Sequence, residues 1–188
     1  MARPKEFDID VALDAAVEVF REHGFAGTSA QMLTTAMRIG KQSLYDTFGG
    51  KWPLYCSAQE KYGAAETAEH VARHEGSPSA FEGLEQMLER VVEHARRPGL
   101  GVSSVNEFGD QQEELIKIRK PAGRALRTAL LNCIGEAKEA GDLAADLDPD
   151  HAVAFVLANV AAIRLAARGG AEPAELRALA RLAIKALK

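Results

Sequence analysis

The sequence predicts an all-α protein. Alanine, leucine, glutamate and arginine dominate its 188 residues, and apolar residues recur at the spacing of an α-helix. No segment alternates apolar and polar residues between turn dipeptides, as β-strands would. Because 47% of the residues are apolar, the chain can bury a core as one or two compact domains.

The first helix begins at Asp8 and ends at Gly24. The Asp8 carboxylate can accept hydrogen bonds from the free amides of the first turn, and glycine tolerates the left-handed backbone of a helix C-terminus. The apolar residues between them follow the helical period and predict one face turned toward the core. These residues are Val11, Ala12, Ala15, Ala16, Val19 and Phe20.

Two short helices around a tight turn are predicted next. Thr28 and Gln31 match a capping box at the start of the second helix, in which each side chain satisfies a free amide near the other. Gly40 opens the third helix, on which Leu44 and Phe48 lie one turn apart and face the core. The core-facing residues predicted for the second helix are Met32, Leu33 and Ala36.

Proline and serine mark the next two helices. Pro53 falls in the first turn of a long fourth helix, where its missing amide is harmless, and this helix is expected to run to about Glu75. Ser79 and Glu82 form a second capping box at the start of the fifth helix, which ends before Pro98.

The C-terminal part adds four or five further helices, giving nine or ten in all. A short helix is predicted over residues 102–108 and a long one over 113–140, with a kink or break at Pro121. The last two helices are bounded by Asp148 and Pro149, by Gly169 and Gly170, and by Pro173.

The outward face of the third helix carries residue types that contact DNA. The Gln42 amide can donate to and accept from an adenine edge at once, and Tyr45 can contact a thymine methyl or a phosphate. Lys41 and Lys51 act mainly through charge, and Thr28 presents a hydroxyl at a positive helix end. An ordinary helical hairpin with a solvated polar face is the alternative. The residues predicted to bind DNA are Thr28, Lys41, Gln42, Ser43, Tyr45, Asp46, Thr47 and Lys51.

This region resembles the DNA-binding domain of the tetracycline-repressor (TetR) family of bacterial transcription regulators. The resemblance rests on the capping Thr28, the adjacent Leu44 and Tyr45, Phe48, and the Lys51 that follows a small-residue turn. These residues lie within GFAGTSAQMLTTAMRIGKQSLYDTFGGKWPLY. The resemblance implies that the polar residues named above face double-stranded operator DNA.

The same resemblance implies the organisation and the mechanism. Residues 1–51 correspond to a three-helix helix-turn-helix domain, and residues 52–188 to an effector-binding and dimerisation domain. The implied function is that of a ligand-responsive regulator, most simply a repressor. Effector entry shifts the fourth helix, which begins at Lys51, and moves two recognition helices off their half-sites. A coupling of about 1–3 kcal/mol lowers DNA affinity about 5- to 150-fold.

Two features depart from an ordinary domain of this kind. Arg38 stands in the turn where the family usually has glycine, so either the turn differs or its backbone is strained. Acidic residues slightly outnumber Lys and Arg in residues 1–51, which predicts modest affinity and marked salt sensitivity. Arg3 and Lys5 precede the first helix and are candidates for phosphate or minor-groove contacts.

The last two helices carry broad apolar faces that predict a homodimer. A four-helix interface between two copies would cover these faces and space paired recognition helices for half-sites about 34 Å apart. The alternative is that both helices pack within their own chain. The apolar residues are Val153, Val156, Leu157, Val160, Ala161, Ile163, Leu176, Leu179, Leu182, Ala183 and Ile184.

A pocket for a small apolar or amphipathic effector is expected among helices four to eight. Aromatic and flexible side chains interrupt the Ala/Leu pattern there, and Asn106 and Asn159 can supply polar contacts within an apolar cleft. For each residue singly, ordinary core packing is the alternative. The predicted lining residues are Tyr62, Phe81, Met87, Val105, Asn106, Phe108, Leu130, Cys133, Phe155 and Asn159.

Other site chemistry is weakly indicated. His70 and His74 lie one helical turn apart beside Glu66 and Glu69, but such a pair is ordinarily a solvated face, and no metal is predicted. Cys133 lies in an apolar stripe that disfavours a reactive thiolate. No cofactor and no enzymatic activity are predicted, because the sequence lacks a phosphate-binding glycine loop, a nucleophile elbow and a zinc-protease pair.

Composition also bears on localisation. Cys56 and Cys133 have no metal-like spacing and no secretory leader is recognisable, which predicts a cytoplasmic protein. Arg164 and Arg168 interrupt the longest apolar run, so no membrane association is predicted. Two other functions remain open: an architectural or adaptor protein that binds DNA without an effector, and a helical enzyme or carrier whose hairpin is incidental.

Overall fold

A computed structural model describes residues 7–188, apart from the side chains of residues 73–75. Within these residues the chain forms nine helices and no β-strand, which confirms the all-α prediction. The helices are α1 (Ile9–His23), α2 (Ala30–Met37), α3 (Lys41–Phe48), α4 (Lys51–Glu75), α5 (Ala80–His94), α6 (Leu100–Phe108), α7 (Glu113–Glu139), α8 (Pro149–Arg168) and α9 (Pro173–Lys185). Arg3, Lys5 and the His74 side chain lie outside the described part of the chain.

The chain divides into two compact units. The first contains the described residues up to Ala64 together with Gly99–Lys120, and the second contains Ala65–Pro98 and Pro121–Lys188. Helices α4 and α7 therefore contribute residues to both units. The predicted functional domains, residues 1–51 and 52–188, have a different boundary from these two compact units. That division stays a prediction.

Helix α1 forms the start of the first unit as its sequence signals predict. The Asp8 carboxylate accepts hydrogen bonds from the amides of Asp10 and Val11, and Gly24 has φ 67° at the C-terminus. Of the predicted stripe, Ala12, Ala16 and Phe20 are buried and Ala15 and Val19 are half-buried against the core, which also includes Val17. Val11 lies on the opposite side of the helix and is exposed.

An aromatic cluster holds the first unit together around Phe25. Its ring contacts Trp52, Tyr55 and Phe108, with centroid distances of 5.3, 5.1 and 5.6 Å. The Trp52 indole Nε1 donates to the Glu114 carboxylate at 2.7 Å. These contacts join the loop after α1 to the first turn of α4, to helix α6 and to the start of α7. The indole N–H of Trp52, the polar group of that ring, is satisfied by its hydrogen bond.

The second unit has its own core, formed by α5, the C-terminal part of α7, α8 and α9. Its fully buried residues include Leu84, Val91, Ile134, Val153, Val156, Ile163 and Leu176. The break considered at Pro121 is not present, because α7 continues through this residue. Proline removes one intrahelical hydrogen bond, and the packing of both halves of α7 outweighs that loss.

Helix α8 is long and apolar enough to cross a membrane by length and composition: its most apolar stretch has a mean hydropathy of 1.4, and 28% of that stretch is buried. The prediction that Arg164 and Arg168 shorten this run below that length is therefore wrong. A single such helix is weak evidence, because core helices pass the same test. The Arg164 guanidinium also pairs with the Glu66 carboxylate inside the second unit, as a core helix allows and a lipid-facing helix disfavours.

Candidate nucleic-acid interface

Helix α2 begins one residue later than predicted. Ser29 is the N-cap, and its hydroxyl accepts from the Met32 amide at 3.2 Å. Thr28 is 2% exposed, and its hydroxyl donates to the Gly24 carbonyl at 2.6 Å. The capping box of Thr28 with Gln31 is therefore wrong, because the one-residue shift pairs the cap with Met32. Ser29 offers the same hydroxyl one residue after Thr28.

The turn between α2 and α3 is built on a left-handed arginine. Arg38 has φ 55° and ψ 42°, and the Ile39 amide donates to the Thr34 carbonyl at 3.1 Å. Of the two possibilities raised by the sequence, the strained backbone is the one observed. This conformation costs a residue with a side chain about 1–2 kcal/mol. It ends α2 and allows Gly40 to start α3.

Helix α3 is anchored by one face and exposed on the other. Leu44 is fully buried and Phe48 is half-buried against the same core, as predicted. On α2, Leu33 is buried as predicted, Met32 is half-buried, and Met37 occupies the core position predicted for Ala36, which is exposed. The outward residues of α3 are Lys41, Gln42, Tyr45 and Asp46, which are exposed, and Ser43 and Thr47, which are half-buried.

The side chains of Gln42 and Asp46 are joined. Gln42 Nε2 donates to Asp46 Oδ1 at 2.7 Å across one helical turn. The bond leaves the Gln42 carbonyl oxygen and its second N–H available to a partner. Asp46 therefore orients the amide that the sequence singled out for base recognition.

Tyr45 and Lys51 are held by the glycine turn after α3 and by the loop after α1. The Tyr45 ring lies over Gly50, whose φ is 121° and where an added Cβ would come within 3.3 Å of Tyr45 Cε1. Lys51 Nζ lies 4.3 Å from the centre of the Phe25 ring. A cation–π contact of this kind holds the Lys51 charge against the loop after α1.

The sequence analysis did not identify Glu107 as part of this region. The Glu107 carboxylate accepts hydrogen bonds from the amides of Phe25 and Ala26, at 2.9 and 2.6 Å, in the loop that leads to α2. Glu107 follows the loop by more than eighty residues. No local pattern of a helix start or turn could have indicated this contact.

The predicted effector residues are distributed over both units. Tyr62, Val105, Asn106 and Phe108 belong to the first unit, and Phe81, Met87, Leu130, Cys133, Phe155 and Asn159 to the second. Val105, Asn106 and Phe155 are exposed, and the Asn159 amide donates to the Phe155 carbonyl. Met87, Leu130 and Cys133 line an apolar cavity of about 10 Å³ in the second unit, together with His70 and Leu84.

Two open grooves of about 370 and 440 Å³ lie between α5 and α9. Their floors are apolar and their rims are charged, and none of the predicted effector residues lines them.

His70, Cys56 and Cys133 are uncharged at neutral pH. His70 is buried, and burial lowers its pKa to about 4, so the ring is neutral at pH 7. The described residues contain no group of three side chains able to hold a metal. Burial raises the pKa of Cys133 to about 11 and that of Cys56 to about 12, so both are thiols at neutral pH.

Comparisons with known proteins place this geometry in context. A family model described as bacterial regulatory proteins, tetR family, matches residues 12–55. An uncharacterised HTH-type transcriptional regulator of Bacillus subtilis (strain 168), YezE, is 33% identical over 148 residues, covering 76% of each chain. The HTH-type transcriptional repressor ComR of Escherichia coli (strain K12) is 37% identical over 71 residues, covering 38% of this chain and 34% of ComR.

A solved structure is similar over the whole chain. It is a cysteine mutant of the TetR family transcriptional regulator CifR in complex with 26-bp double-strand operator DNA. The identity is 29%, and the TM-score is 0.80 over 100% of both chains. The similarity therefore extends from the helix-turn-helix region through the helices that follow it.

Proposed function

The chain belongs to the TetR family of bacterial DNA-binding transcriptional regulators, and from this premise we propose that it is a cytoplasmic, homodimeric repressor that a small effector releases from its operator. It is a regulator and not an enzyme. The observation that carries the proposal is the outward face of α3, where Lys41, Gln42 and Tyr45 are exposed while Leu44 holds the helix to the core. Two similar proteins support it: ComR is described as a repressor, and the CifR mutant was solved in complex with operator DNA.

The proposed contacts with DNA divide by chemistry. Gln42, oriented by Asp46, and Tyr45 read base edges, while Lys41, Ser43, Thr47 and Lys51 hold phosphates. Thr28 acts indirectly in this proposal, because its hydroxyl is used by the Gly24 carbonyl and holds the start of α2 in place.

The proposed homodimer is supported by apolar surface on α8 and α9. Phe155, Leu165, Leu179 and Leu182 are exposed large apolar residues in the single chain. Other residues predicted for this interface are already buried in their own chain: Val153, Val156, Ile163, Leu176, Ala183 and Ile184. The remaining exposed strip is of the kind that a second copy covers.

The DNA contacts are tested with an operator selected from a random pool of duplexes. Gln42→Ala is expected to weaken binding by about 1–3 kcal/mol and to relax the preference at one base position. Lys41→Ala is expected to weaken all sequences alike and to reduce the slope of log affinity against log salt by about 1. Lys117→Ala, an exposed lysine of α7, is the matched control. Unchanged affinity and salt slope in both α3 variants would contradict the proposed interface.

Release by an effector is tested on the same complex. Compounds that lower operator affinity at constant salt support the ligand-responsive repressor, and reporter transcription that rises with them supports repression. The small volume of the apolar cavity in the second unit, about 10 Å³, favours the alternative of a DNA-associated protein without an effector. That alternative is supported if a broad collection of small molecules neither binds the protein nor changes operator affinity.

A further inference from the structure

The second unit contains two largely buried arginine side chains around one half-buried carboxylate. Glu66 of α4 accepts from Arg90 of α5 at 3.2 Å and from Arg164 of α8 at 2.5 Å. The two guanidinium side chains are 9% and 11% exposed. Glu69 lies 3.7 Å from Arg90 Nε, but this carboxylate is mostly exposed to solvent.

Part of this cluster lacks hydrogen-bond partners. Within the part of the chain that the structure describes, Arg90 Nη1 and His70 Nδ1 are buried and accept or donate no hydrogen bond. Buried polar atoms of this kind are uncommon and are frequently satisfied by a ligand or a water. A guanidinium pairs best with a carboxylate, which can take two parallel hydrogen bonds.

An apolar cavity lies beside the same histidine. His70 forms its polar wall, and Leu84, Met87, Leu126 and Leu130 form most of the rest. Its volume of about 10 Å³ holds no more than a water-sized sphere. A molecule with an apolar tail can enter only if α4, α5 and α7 separate, so its binding necessarily favours an altered arrangement of these helices.

We propose that this is the effector site and that it takes a small carboxylic acid whose carboxylate displaces Glu66 from Arg90 and Arg164 while its apolar tail occupies the enlarged cavity. The proposal rests on the proposed function and specifies the chemical class of the effector. Displacement of Glu66 releases α4 from α5 and α8. Helix α4 begins at Lys51, three residues after α3 ends. The helix that loses its Glu66 contacts is therefore the one that follows α3 in the chain.

The proposal is tested by calorimetric binding of hexanoate, hexanol and hexylamine to the full-length protein without DNA. Hexanoate is expected to bind about tenfold or more tightly than the alcohol or the amine, because only it can pair with the arginines. Acetate, which lacks the tail, is expected to bind more weakly than hexanoate. Equal affinity of the three six-carbon probes, or no binding of hexanoate, would overturn the proposal.

Variants separate this site from a general affinity for anions. Glu66→Gln removes the internal competitor and is expected to tighten hexanoate binding several-fold, whereas Arg90→Gln is expected to weaken it about tenfold or more. Glu93→Gln, an exposed residue one turn along α5 from Arg90, is the matched control and should leave the affinity unchanged. Circular dichroism establishes that each variant is folded. If Arg90→Gln does not fold, the sign of the Glu66→Gln effect decides the matter, and unchanged or weaker hexanoate binding overturns the proposal.

Operator binding keeps this test distinct from that of the proposed function. Hexanoate binding that follows the pattern above supports the carboxylate site even if no operator is found, and the repressor proposal then fails alone. If the protein binds an operator but does not bind hexanoate, the repressor proposal is retained and the carboxylate site is overturned.

Discussion

At the scale of single residues, His70 is a neutral imidazole surrounded by charges. Glu66, Glu69, Arg90 and Arg164 all act on it, but burial is the largest influence and lowers its pKa to about 4. A histidine in the unfolded chain titrates near pH 6.5. Between these two values the unfolded state binds more protons than the folded state, so stability falls as the pH falls.

His70→Gln is expected to remove this pH dependence. From pH 7 to pH 5 the wild type should lose about 2 kcal/mol of unfolding free energy more than the variant, because the His70 contribution is complete above about pH 6.5 and lost toward pH 4. Urea unfolding at the two pH values measures the difference. His151→Gln, a change at an exposed histidine, is the control. Equal losses in wild type and His70→Gln would show that folding does not lower the pKa of His70.

At the scale of secondary-structure elements, the loop before α2 is held by a residue of α6. The Glu107 carboxylate accepts from two loop amides, and the Phe25 ring packs against Phe108 of the same helix. Two charge-assisted hydrogen bonds of this kind fix the path of the loop more strongly than its own turn residues can. The position of α2 therefore depends on α6 as well as on Ser29.

Glu107→Gln is expected to lower the free energy of unfolding by about 1–3 kcal/mol. One of the two amides would then face the NH₂ group and lose its acceptor. The effect is measured by chemical denaturation of the variant beside Glu113→Gln. Glu113 is an exposed residue paired with Lys117, so its change should stay within about 0.5 kcal/mol. A Glu107→Gln variant as stable as the control would mean that the loop is held without these hydrogen bonds.

At the scale of the whole molecule, the exposed strip on α8 and α9 is the feature that the single chain leaves unexplained. Leu165 and Leu182 are 61% and 62% exposed, although each lies on a helix that also supplies fully buried core residues. An operator with two half-sites requires two recognition helices, so the dimer and the DNA interface are linked by symmetry.

Leu182→Glu is expected to convert the proposed dimer into a monomer, because it places a charge on the exposed apolar surface that the second copy is proposed to cover. Sedimentation velocity measures the assembly, and operator affinity should fall with it. Val11→Glu, on α1 in the other unit, is the control, since Val11 is 65% exposed. A dimeric Leu182→Glu protein with unchanged operator affinity would place the interface elsewhere.

Helix boundaries were predictable from the sequence wherever one local interaction decides them. Asp8, Ser79 and Asp148 each cap a helix as predicted, because an N-cap side chain reaches only the amides two or three residues ahead. The prediction failed at Thr28, where Ser29 offered the same chemistry one residue later and the burial of Thr28 decided between them. The outward face of α3 followed from the two apolar anchors, Leu44 and Phe48, since the helical period alone separates them from the polar residues.

The sequence by itself determined the all-α class, the helix-turn-helix and the family, because these depend on caps, turns and periods that span a few residues. Only the tertiary structure decided which distant groups meet. Glu107 of α6 accepts from the loop before α2, 81 residues away at Ala26, and Glu66 pairs with Arg90 and Arg164, which follow it by 24 and 98 residues. Such contacts depend on how whole helices pack, and no pattern confined to a few residues records that packing.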